Sequence, residues 1–281
     1  MKLITWNLQW GRGVDGRVNL PRIAAKVRAL GDFDVMCFQE VADNYPELPG
    51  NDVANQFGAL ELLFPGYTPI EGISVDIAGP GLRKRFGNLI LSRLPVTSAR
   101  RHALPWPADP NADSMPRVAV EAVVAAPFGA LRVTTTHLEY YSAVQRMAQA
   151  RRLRELHDEA CTRATTLRTV KPRESNATFD VTPQPAAAIL AGDFNFPPEA
   201  PEYAAIQAPL AGGGSRYRDA WAQVHGLRAH VPTFCVHDRS WKDTPFCCDF
   251  VFASDGLPLR SIEVDTDAQE SDHQPVMVEL G

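Results

Sequence analysis

Short apolar runs alternate with helical patterns along the whole chain, and this alternation limits the possible folds more than any other feature of the sequence. The runs that predict strands are KLITWN, DVMCFQEV, FGNLILS, RVAVEAVVAA, LRVTTTHL, AAAILAGDFN, CDFVFAS and QPVMVEL. Helices are predicted for NLPRIAAKVRAL (capped by Asn19), DVANQFGALELLF and SAVQRMAQARRLRELHDEA (capped by Ser142). Because both kinds of element mix over all 281 residues without a long linker, we expect one α/β sandwich domain over residues 1–281.

Two segments do not fit this pattern of strands and helices. Residues 74–85 end in GPGLRKRF and contain the basic cluster Arg83, Lys84 and Arg85. Residues 165–186 are polar and rich in threonine and proline. Polar segments of this kind favour the surface, so we expect both to be exposed insertions.

The charge and the cysteine content limit the kinds of ligand and the cellular compartment that the sequence favours. The chain has 33 acidic and 28 basic residues, a net charge of −5. This charge argues against a protein whose whole surface binds nucleic acid. An odd number of cysteines, five, without CxxC spacing favours a reduced, cytoplasmic protein without a disulfide framework. The sequence lacks a signal-peptide pattern and any run of about 18 apolar residues, so no membrane span is expected. It shows no sign of an obligate protein partner.

Polar side chains follow several of the predicted strands at the point where each strand ends or begins. They are Asn7, Glu40, His137, Asp193, Asn195, Asp249, Asp272 and His273. One such residue would be read as a cap or a turn former. Ligands of α/β proteins bind beyond strand ends, so the whole set predicts a single functional site.

The residue types in this set indicate its chemistry. Carboxylate and amide oxygens suit Mg²⁺ or Mn²⁺ better than zinc, and magnesium leaves positions for water and for phosphate oxygens of a substrate. A histidine beside a carboxylate is held in one tautomer and can act as a general base near neutral pH.

Six short motifs in order along the chain resemble the endonuclease/exonuclease/phosphatase superfamily, which has the DNase I-like fold. They are WN at residues 6–7, QE at 39–40, HL at 137–138, GDFN at 192–195, DFVF at 249–252 and SDH at 271–273. The resemblance implies a two-sheet β-sandwich flanked by helices, a four-layer α/β sandwich. Its site would lie at one edge, where the loops of both sheets converge.

The resemblance also implies roles at the metal and for the nucleophile. Glu40 would be the principal metal ligand, with Asn7 beside it and Asp272 completing the surroundings of the cation. His273 would remove a proton from the attacking water, and Asp249 would orient that histidine.

Further roles concern the phosphate and the rest of the substrate. Asp193 and Asn195 would position the nucleophile and a non-bridging oxygen, and His137 would donate to the phosphate. Asn88 stands where relatives often carry a substrate-contacting asparagine. Arg85, with its basic neighbours, either attracts a phosphorylated substrate or belongs to a solvated loop.

Three further positions are open between two interpretations. Tyr140 either offers a hydroxyl to the phosphate or is buried. Trp241, with Lys242, either stacks on a substrate group or is a loop residue. Arg117 either points at the site or pairs with a neighbour.

The predicted function is a divalent-metal-dependent phosphoester hydrolase of the phosphodiesterase type. The expected substrate is a small phosphorylated molecule or a short nucleic acid. Alternatives are a nuclease acting on DNA or RNA, and a phosphomonoesterase of a small metabolite or lipid headgroup. A non-catalytic binding module would be expected to have lost Glu40 or His273, and this chain retains both. Cys247 and Cys248, beside DFVF, depart from the usual pattern and are either packing residues or a redox-sensitive edge.

Overall fold

Two six-stranded β-sheets pack face to face in the computed structural model, which describes residues 1–52, 55–79, 81–166 and 184–281. The strands are β1 (Lys2–Asn7), β2 (Val35–Asp43), β3 (Thr68–Ala78), β4 (Arg83–Ser92), β5 (Val96–Ala103), β6 (Val118–Ala126), β7 (Gly129–His137), β8 (Ala188–Asp193), β9 (Tyr217–Asp219), β10 (Asp249–Ser254), β11 (Leu259–Val264) and β12 (Val276–Leu280). The helices are α1 (Leu20–Leu30), α2 (Gln56–Leu63), α3 (Ala143–Thr165), α4 (Pro201–Gln207) and α5 (Ala220–His225).

The strand order places the ends of the central strands together. The first sheet runs β11-β12-β1-β2-β4-β3 and the second runs β5-β6-β7-β8-β10-β9. Each sheet contains one parallel pair, β1 with β2 and β7 with β8, and its other pairs are antiparallel. Parallel neighbours end at the same edge of a sheet, so Asn7 and Glu40 meet at one edge as His137 and Asp193 do.

Three apolar clusters separate four layers. The cluster between the sheets includes Leu3, Val133 and Val251. Apolar residues of α1 and α2 pack with the outer face of the first sheet, and those of α3 and α4 pack with the outer face of the second. Strands buried on both faces become nearly continuous apolar runs, which is why DVMCFQEV and AAAILAG lack alternation. The predicted fold class, a two-sheet sandwich flanked by helices, is confirmed.

Every predicted strand and helix is present in the fold. Asn19 and Ser142 each accept a hydrogen bond from the backbone N–H three residues later, as expected of caps. The elements that the sequence did not reveal are β3, β5, β9, β11, α4 and α5. They are short or lie at sheet edges, where one exposed face removes the continuous apolar signal.

The two predicted insertions have different outcomes. Within 74–85, residues up to 78 belong to β3 and residues from 83 belong to β4, so this segment is the outer, largely exposed end of a hairpin. Residues 167–183, most of the second segment, lie outside the described residues. Among the described helices, none is long and apolar enough to cross a membrane.

Candidate active site

Gly192 sets the distance between two strands that carry site residues. Its φ is +144°, and a Cβ at this position would lie 2.0 Å from the carbonyl oxygen of Thr136. The absence of a side chain therefore lets β7 and β8 approach closely, which places Asp193 opposite His137. The Nε2 atom of His137 lies 3.4 Å from an oxygen of Asp193.

A β-bulge in β2 directs Glu40 into the site. The register of β2 against β4 shifts between Phe38 and Val41, and Glu40 has a φ of +57°. Gln39 remains between the sheets, where its amide donates to the hydroxyls of Thr5 and Thr135 at 3.1 and 2.8 Å. The QE motif thus combines a link between the sheets with an acid at their edge.

The SDH turn is fastened to β1 by hydrogen bonds. The Ser271 hydroxyl donates to the carbonyl oxygen of Asn7 at 2.7 Å, and the His273 backbone N–H donates to the Ser271 hydroxyl at 3.2 Å. The indole of Trp6 donates to the His273 carbonyl oxygen at 2.9 Å. These bonds hold Asp272 and His273 against the end of the strand that carries Asn7.

A cavity of about 380 Å³ opens at this edge of the sandwich. The predicted site residues that line it are Glu40, His137, Tyr140, Asp193, Asn195, Trp241, Asp272 and His273. Asn7 and Asp249 are buried behind this lining and contact it by hydrogen bonds. Arg117, which the sequence left open between two interpretations, also lines the cavity. The structure therefore brings together eleven of the residues that the sequence singled out.

Asn7 connects several groups of the site. Its amide donates to Glu40 at 3.1 Å and to Asp193 at 2.9 Å, and lies 3.5 Å from the Nε2 atom of His273. Its amide oxygen accepts the backbone N–H of Gln9 at 3.0 Å. In this arrangement Asn7 orients the carboxylates as a donor, and metal ligation by its oxygen stays a prediction.

His273 and Asp249 form a buried dyad. The Nδ1 atom of His273 lies 2.9 Å from an oxygen of Asp249, so Nδ1–H donates and Nε2 faces Asp193 at 3.6 Å. Burial disfavours the imidazolium ion, but the carboxylates of Asp249, Asp193 and Asp272 outweigh burial and hold the pKa of His273 well above 6.5. The dyad has the geometry of a general base with an orienting carboxylate. The raised pKa favours the imidazolium ion, so His273 has to release the proton on Nε2 before it can accept one from water.

The pKa of His137 is shifted in the opposite direction to that of His273. Burial, reinforced by the nearby Arg117 guanidinium, lowers the pKa of His137 to about 3, although Asp193 opposes this shift. A neutral imidazole has one N–H to donate. His137 can therefore serve as a hydrogen-bond donor to a phosphate oxygen, but it does not add a positive charge at neutral pH.

Two acids in the cavity are poorly stabilised as anions. Burial and the neighbouring Asp272 raise the pKa of Glu40 to about 7, and burial raises the pKa of Asp272 to about 6. The Gln9 amide donates to Asp272 at 2.8 Å, while its own oxygen is buried without a partner among the described residues. Oxygen donors with uncompensated negative charge fit a hard divalent cation, and Glu40 and Asp272 are the residues that would hold it.

A different set of potential ligands, Asp193, Cys248 and His273, also lies close together, with atoms within 4.8 Å of one another. Burial and Asp249 raise the pKa of the Cys248 thiol well above 9.0, so this sulfur keeps its proton. A hard cation prefers oxygen, which leaves the Glu40–Asp272 side of the cavity as the better fit.

Replacing Glu40 with glutamine is expected to stabilise the metal-free protein. The raised pKa means that the folded chain disfavours the carboxylate, so stability declines as pH rises from about 4.5 to about 7 and stays low above that. At pH 8 the shift corresponds to about 3 kcal/mol, which Glu40→Gln would recover. The test is a Tm measurement at pH 8 in EDTA and in Mg²⁺.

The exposed Glu61 on α2 provides the matched control, and Glu61→Gln should leave Tm nearly unchanged. Wild-type Tm should rise on adding Mg²⁺, whereas Glu40→Gln should lose that response. A variant less stable than wild type in EDTA would show that the carboxylate is already well compensated.

Asn88 and Arg85 are not among the residues that line the cavity, and their contact with substrate stays a prediction. Asn88 is buried and its amide donates to the Val118 carbonyl oxygen at 3.0 Å, across to the second sheet. Arg85 donates to Asp43 at 2.7 Å and also pairs with Glu71.

The rest of the basic cluster is paired as well. Arg83 pairs with Asp76 and Lys84 pairs with Glu47. Because each cation has an acidic partner, the cluster is a set of ion pairs along a hairpin rather than an open basic patch.

Arg117 belongs to the cavity wall and also has a structural partner, so both interpretations of this residue hold. It is only 6% exposed, its Nε atom lies 3.3 Å from Glu139, and its Nη1 atom has no hydrogen-bond partner among the described residues. Burial lowers the pKa of its guanidinium, while Glu139 and Glu40 oppose that shift. A buried guanidinium in a cavity wall, with an N–H that has no partner among the described residues, is suited to an anion.

Sequence reasoning missed two residues that contact the catalytic groups. Gln9 lies two positions after Asn7 and reaches Asp272, and its place beside the WN motif was the available signal. The Phe234 ring packs 4.5 Å from the His273 ring and comes from a distant loop that carries no motif.

The cysteines are packing residues. The five are free and buried, and burial raises the pKa of Cys247 as it does that of Cys248. Protonated buried thiols are unreactive, which disfavours the redox-sensitive interpretation of this edge.

Comparison with known proteins agrees with this architecture. An endonuclease/exonuclease/phosphatase from Beutenbergia cavernae is 26% identical, with a TM-score of 0.66 over 100% of this chain and 71% of that one. A Bacteroides thetaiotaomicron mannosyl-6-phosphatase is 19% identical, with a TM-score of 0.65 over 100% and 99% of the two chains. The human Nocturnin catalytic domain with bound sulfate is 16% identical, with a TM-score of 0.65 over 100% and 93%. None of the curated proteins compared with this chain matches it.

Fold and site together define a DNase I-like sandwich with an acid- and histidine-lined edge. Residues 4–273 match the Endonuclease/Exonuclease/phosphatase family, and the chain belongs to that family. Its members are phosphoesterase- and nuclease-type hydrolases and are generally dependent on a divalent metal.

Proposed function

We propose that this chain is a divalent-metal-dependent phosphoester hydrolase that acts on a phosphodiester, with His273 as the general base. The observation that carries the proposal is the buried His273–Asp249 dyad, whose Nε2 atom lies 3.6 Å from Asp193 in a cavity that Glu40 and Asp272 also line. The dyad can transfer a proton, and Glu40 and Asp272 are suited to bind a cation. A protein that only binds its ligand would need neither feature.

The proton path follows from the hydrogen bonds. Nδ1 of His273 is occupied by Asp249, so Nε2 is the atom available to accept a proton from water. Asp193 is held by Asn7 and by the Asn195 backbone N–H, both at 2.9 Å, which fixes the carboxylate near Nε2. A water between Asp193 and His273 would be positioned and deprotonated by the same pair of groups.

Charge compensation on phosphorus comes from other residues of the cavity. His137 and Arg117 supply N–H donors for non-bridging oxygens, and both are already buried and oriented. A divalent cation, Mg²⁺ or Mn²⁺, held by Glu40 and Asp272 would supply Lewis-acid stabilisation of the developing negative charge.

The balance of charge favours a diester over a monoester. Among the described residues that line the cavity, Arg117 is the one arginine or lysine, while Glu40, Asp193 and Asp272 are acidic. A diester brings one negative charge, whereas a monoester brings close to two near neutral pH. Fewer positive groups are therefore needed to neutralise the phosphate of a diester.

The nuclease alternative is less well supported. A protein that follows a polynucleotide neutralises several phosphates with unpaired basic groups. The ion-paired Arg83, Lys84 and Arg85 do not provide such a surface. A compact substrate remains the better fit.

The test is hydrolysis of matched substrates with Mg²⁺ or Mn²⁺ present. We expect bis(p-nitrophenyl) phosphate to be turned over with a higher kcat/KM than p-nitrophenyl phosphate, although the monoester has the same leaving group. An oligonucleotide duplex should be a poor substrate. Preference for the monoester would indicate a phosphomonoesterase, and hydrolysis of none of these esters or of a wider phosphoester panel would overturn the proposal.

A further inference from the structure

The cavity has an apolar side that the catalytic chemistry does not use. Five side chains form it, and we call them the apolar shelf: Tyr45, Leu48, Val75, Phe86 and Met115. They come from the loop after β2, from the β3–β4 hairpin and from the loop before β6. Separate segments of the chain thus place apolar groups beside the acids.

The hairpin builds the centre of the shelf. Val75 of β3 is paired with Phe86 of β4, and the register shifts between Ile73 and Val75. Residues paired across two strands share a face, so both side chains turn toward the cavity. Phe86 packs edge-on against Tyr45, with ring centroids 6.2 Å apart. The centre of the shelf is therefore held in place by contacts within the protein itself.

The shelf is apolar but partly open to the cavity. Phe86 is 9% exposed, whereas Tyr45, Leu48, Val75 and Met115 are of intermediate burial. Leaving such a group of apolar side chains against water costs free energy that a bound apolar ligand would recover. An apolar surface inside a concave site is a binding feature more often than an accident of packing.

The shelf also lacks the groups that polar ligands require. Lys84 and Arg85, the nearest basic residues of the hairpin, are engaged by Glu47 and Asp43. The Tyr45 hydroxyl is the one polar side-chain group of the five. A sugar or a nucleobase would lose hydrogen bonds to water here without replacing them.

Three more aromatic side chains line the same cavity. They are Tyr140, Phe234 and Trp241, and Trp241 is 50% exposed. These rings add to the apolar surface that a bound hydrocarbon group could remove from water.

We propose that the apolar shelf binds a hydrocarbon group esterified to the substrate phosphate, so that the preferred substrates are phosphoesters of apolar alcohols. The inference rests on the proposed phosphoester hydrolase function and names its substrate class. Burial of one methylene corresponds to roughly a fourfold gain in affinity. A substrate lengthened along the shelf should gain by about that factor per carbon until the shelf is filled.

The experiment uses glycerol phosphodiesters of the n-alcohols from methanol to hexanol, in which the alkyl chain is the one varied group. Hydrolysis with Mg²⁺ is followed by ³¹P NMR. We expect kcat/KM to rise by roughly fourfold per methylene over the first few carbons. A dinucleotide and a glycerophosphoryl sugar, tested beside them, should fall below the hexyl ester.

Variants assign the effect to the shelf. Leu48→Asn and Met115→Asn should each flatten the dependence on chain length. The matched control is Leu227→Asn, because Leu227 is fully exposed in a loop after α5, and it should retain the wild-type slope. A flat series in the wild-type protein, or an unchanged slope in both shelf variants, would overturn the inference while leaving the hydrolase function intact.

Binding provides a readout that does not depend on turnover. n-Alkyl phosphonates from methyl to hexyl should bind the Mg²⁺-supplemented protein with affinity that increases with chain length, measured by calorimetry. Failure to hydrolyse any ester would count against the proposed function. The phosphonate series would still test whether the apolar shelf binds a hydrocarbon group. Equal affinity for methyl and hexyl phosphonate would contradict it.

Discussion

Replacing His273 with alanine is expected to lower kcat by about 10²–10⁴-fold, the range that general-base groups contribute. The reason is that Nε2 of His273 is the proton acceptor best placed in the cavity, since Asp249 holds Nδ1 at 2.9 Å. KM should change much less than kcat, because the substrate-facing groups Arg117 and His137 remain. Steady-state kinetics and a Tm measurement together separate lost chemistry from lost folding.

Two variants complete this test. Asp249→Asn should also be severely impaired, because the histidine loses the charge that orients it. His237→Ala is the matched control: His237 is exposed, its ring lies against the Thr266 carbonyl oxygen, and activity should be retained. If His273→Ala keeps more than roughly a tenth of wild-type kcat, another group is the base.

Removal of divalent metal is expected to abolish turnover. Burial raises the pKa values of Glu40 and Asp272, which shows that the protein alone does not compensate these acids. After treatment with EDTA and removal of the chelator, Mg²⁺ or Mn²⁺ should restore the rate, and Ca²⁺ should do so poorly because its preferred coordination is larger and more flexible. The measurement is the rate of phosphodiester hydrolysis against added metal.

Glu40→Ala should remain inactive at Mg²⁺ concentrations that saturate the wild-type enzyme. The exposed Glu61→Ala serves as its control and should respond to metal like the wild-type protein. Full turnover in rigorously metal-free protein would contradict the assignment of Glu40 and Asp272, and it would require stabilisation of the phosphate by Arg117 and His137 alone.

The fold was largely accessible from the sequence because its central strands are buried on both faces. Short apolar runs such as AAAILAG and KLITW are typical of buried strands. Caps such as Asn19 mark the start of a helix by local hydrogen bonding. The edge strand β5, VTSARRHA, has alternating burial but few large apolar residues. Its identity as a strand depends on pairing with β6, which no local pattern specifies.

The centre of the candidate site was accessible for a related reason. Asn7, His137 and Asp193 are the last residues of their strands, and Glu40 lies at the bulge of β2 beside β1. Position along these strands therefore predicts position in space. The bulge at Glu40 and the close approach at Gly192 adjust this placement and depend on backbone geometry that residue types alone do not fix.

Two of the predicted substrate contacts rested on proximity in sequence, and the structure places both side chains against partners elsewhere in the fold. Asn88 lies within β4, where alternate side chains face opposite sides, and its amide turns to the second sheet. Arg85 is paired in register with Asp43 of β2, a partner that is 42 residues away. The apolar shelf was invisible for the same reason, because its residues come from separate segments.

The connection between β1 and the last strand has a consequence for biosynthesis. β1 pairs with β12, and the indole of Trp6 donates to the His273 carbonyl oxygen across 267 positions of the chain. While the ribosome is still adding residues beyond β10, the first sheet lacks two of its strands, and the nascent chain lacks His273, the proposed base. One edge of β1 stays unpaired until then and is open to pairing with other chains. If His273 is the base, as proposed, a product truncated before this residue would contain Glu40 and Asp193 but would be inactive.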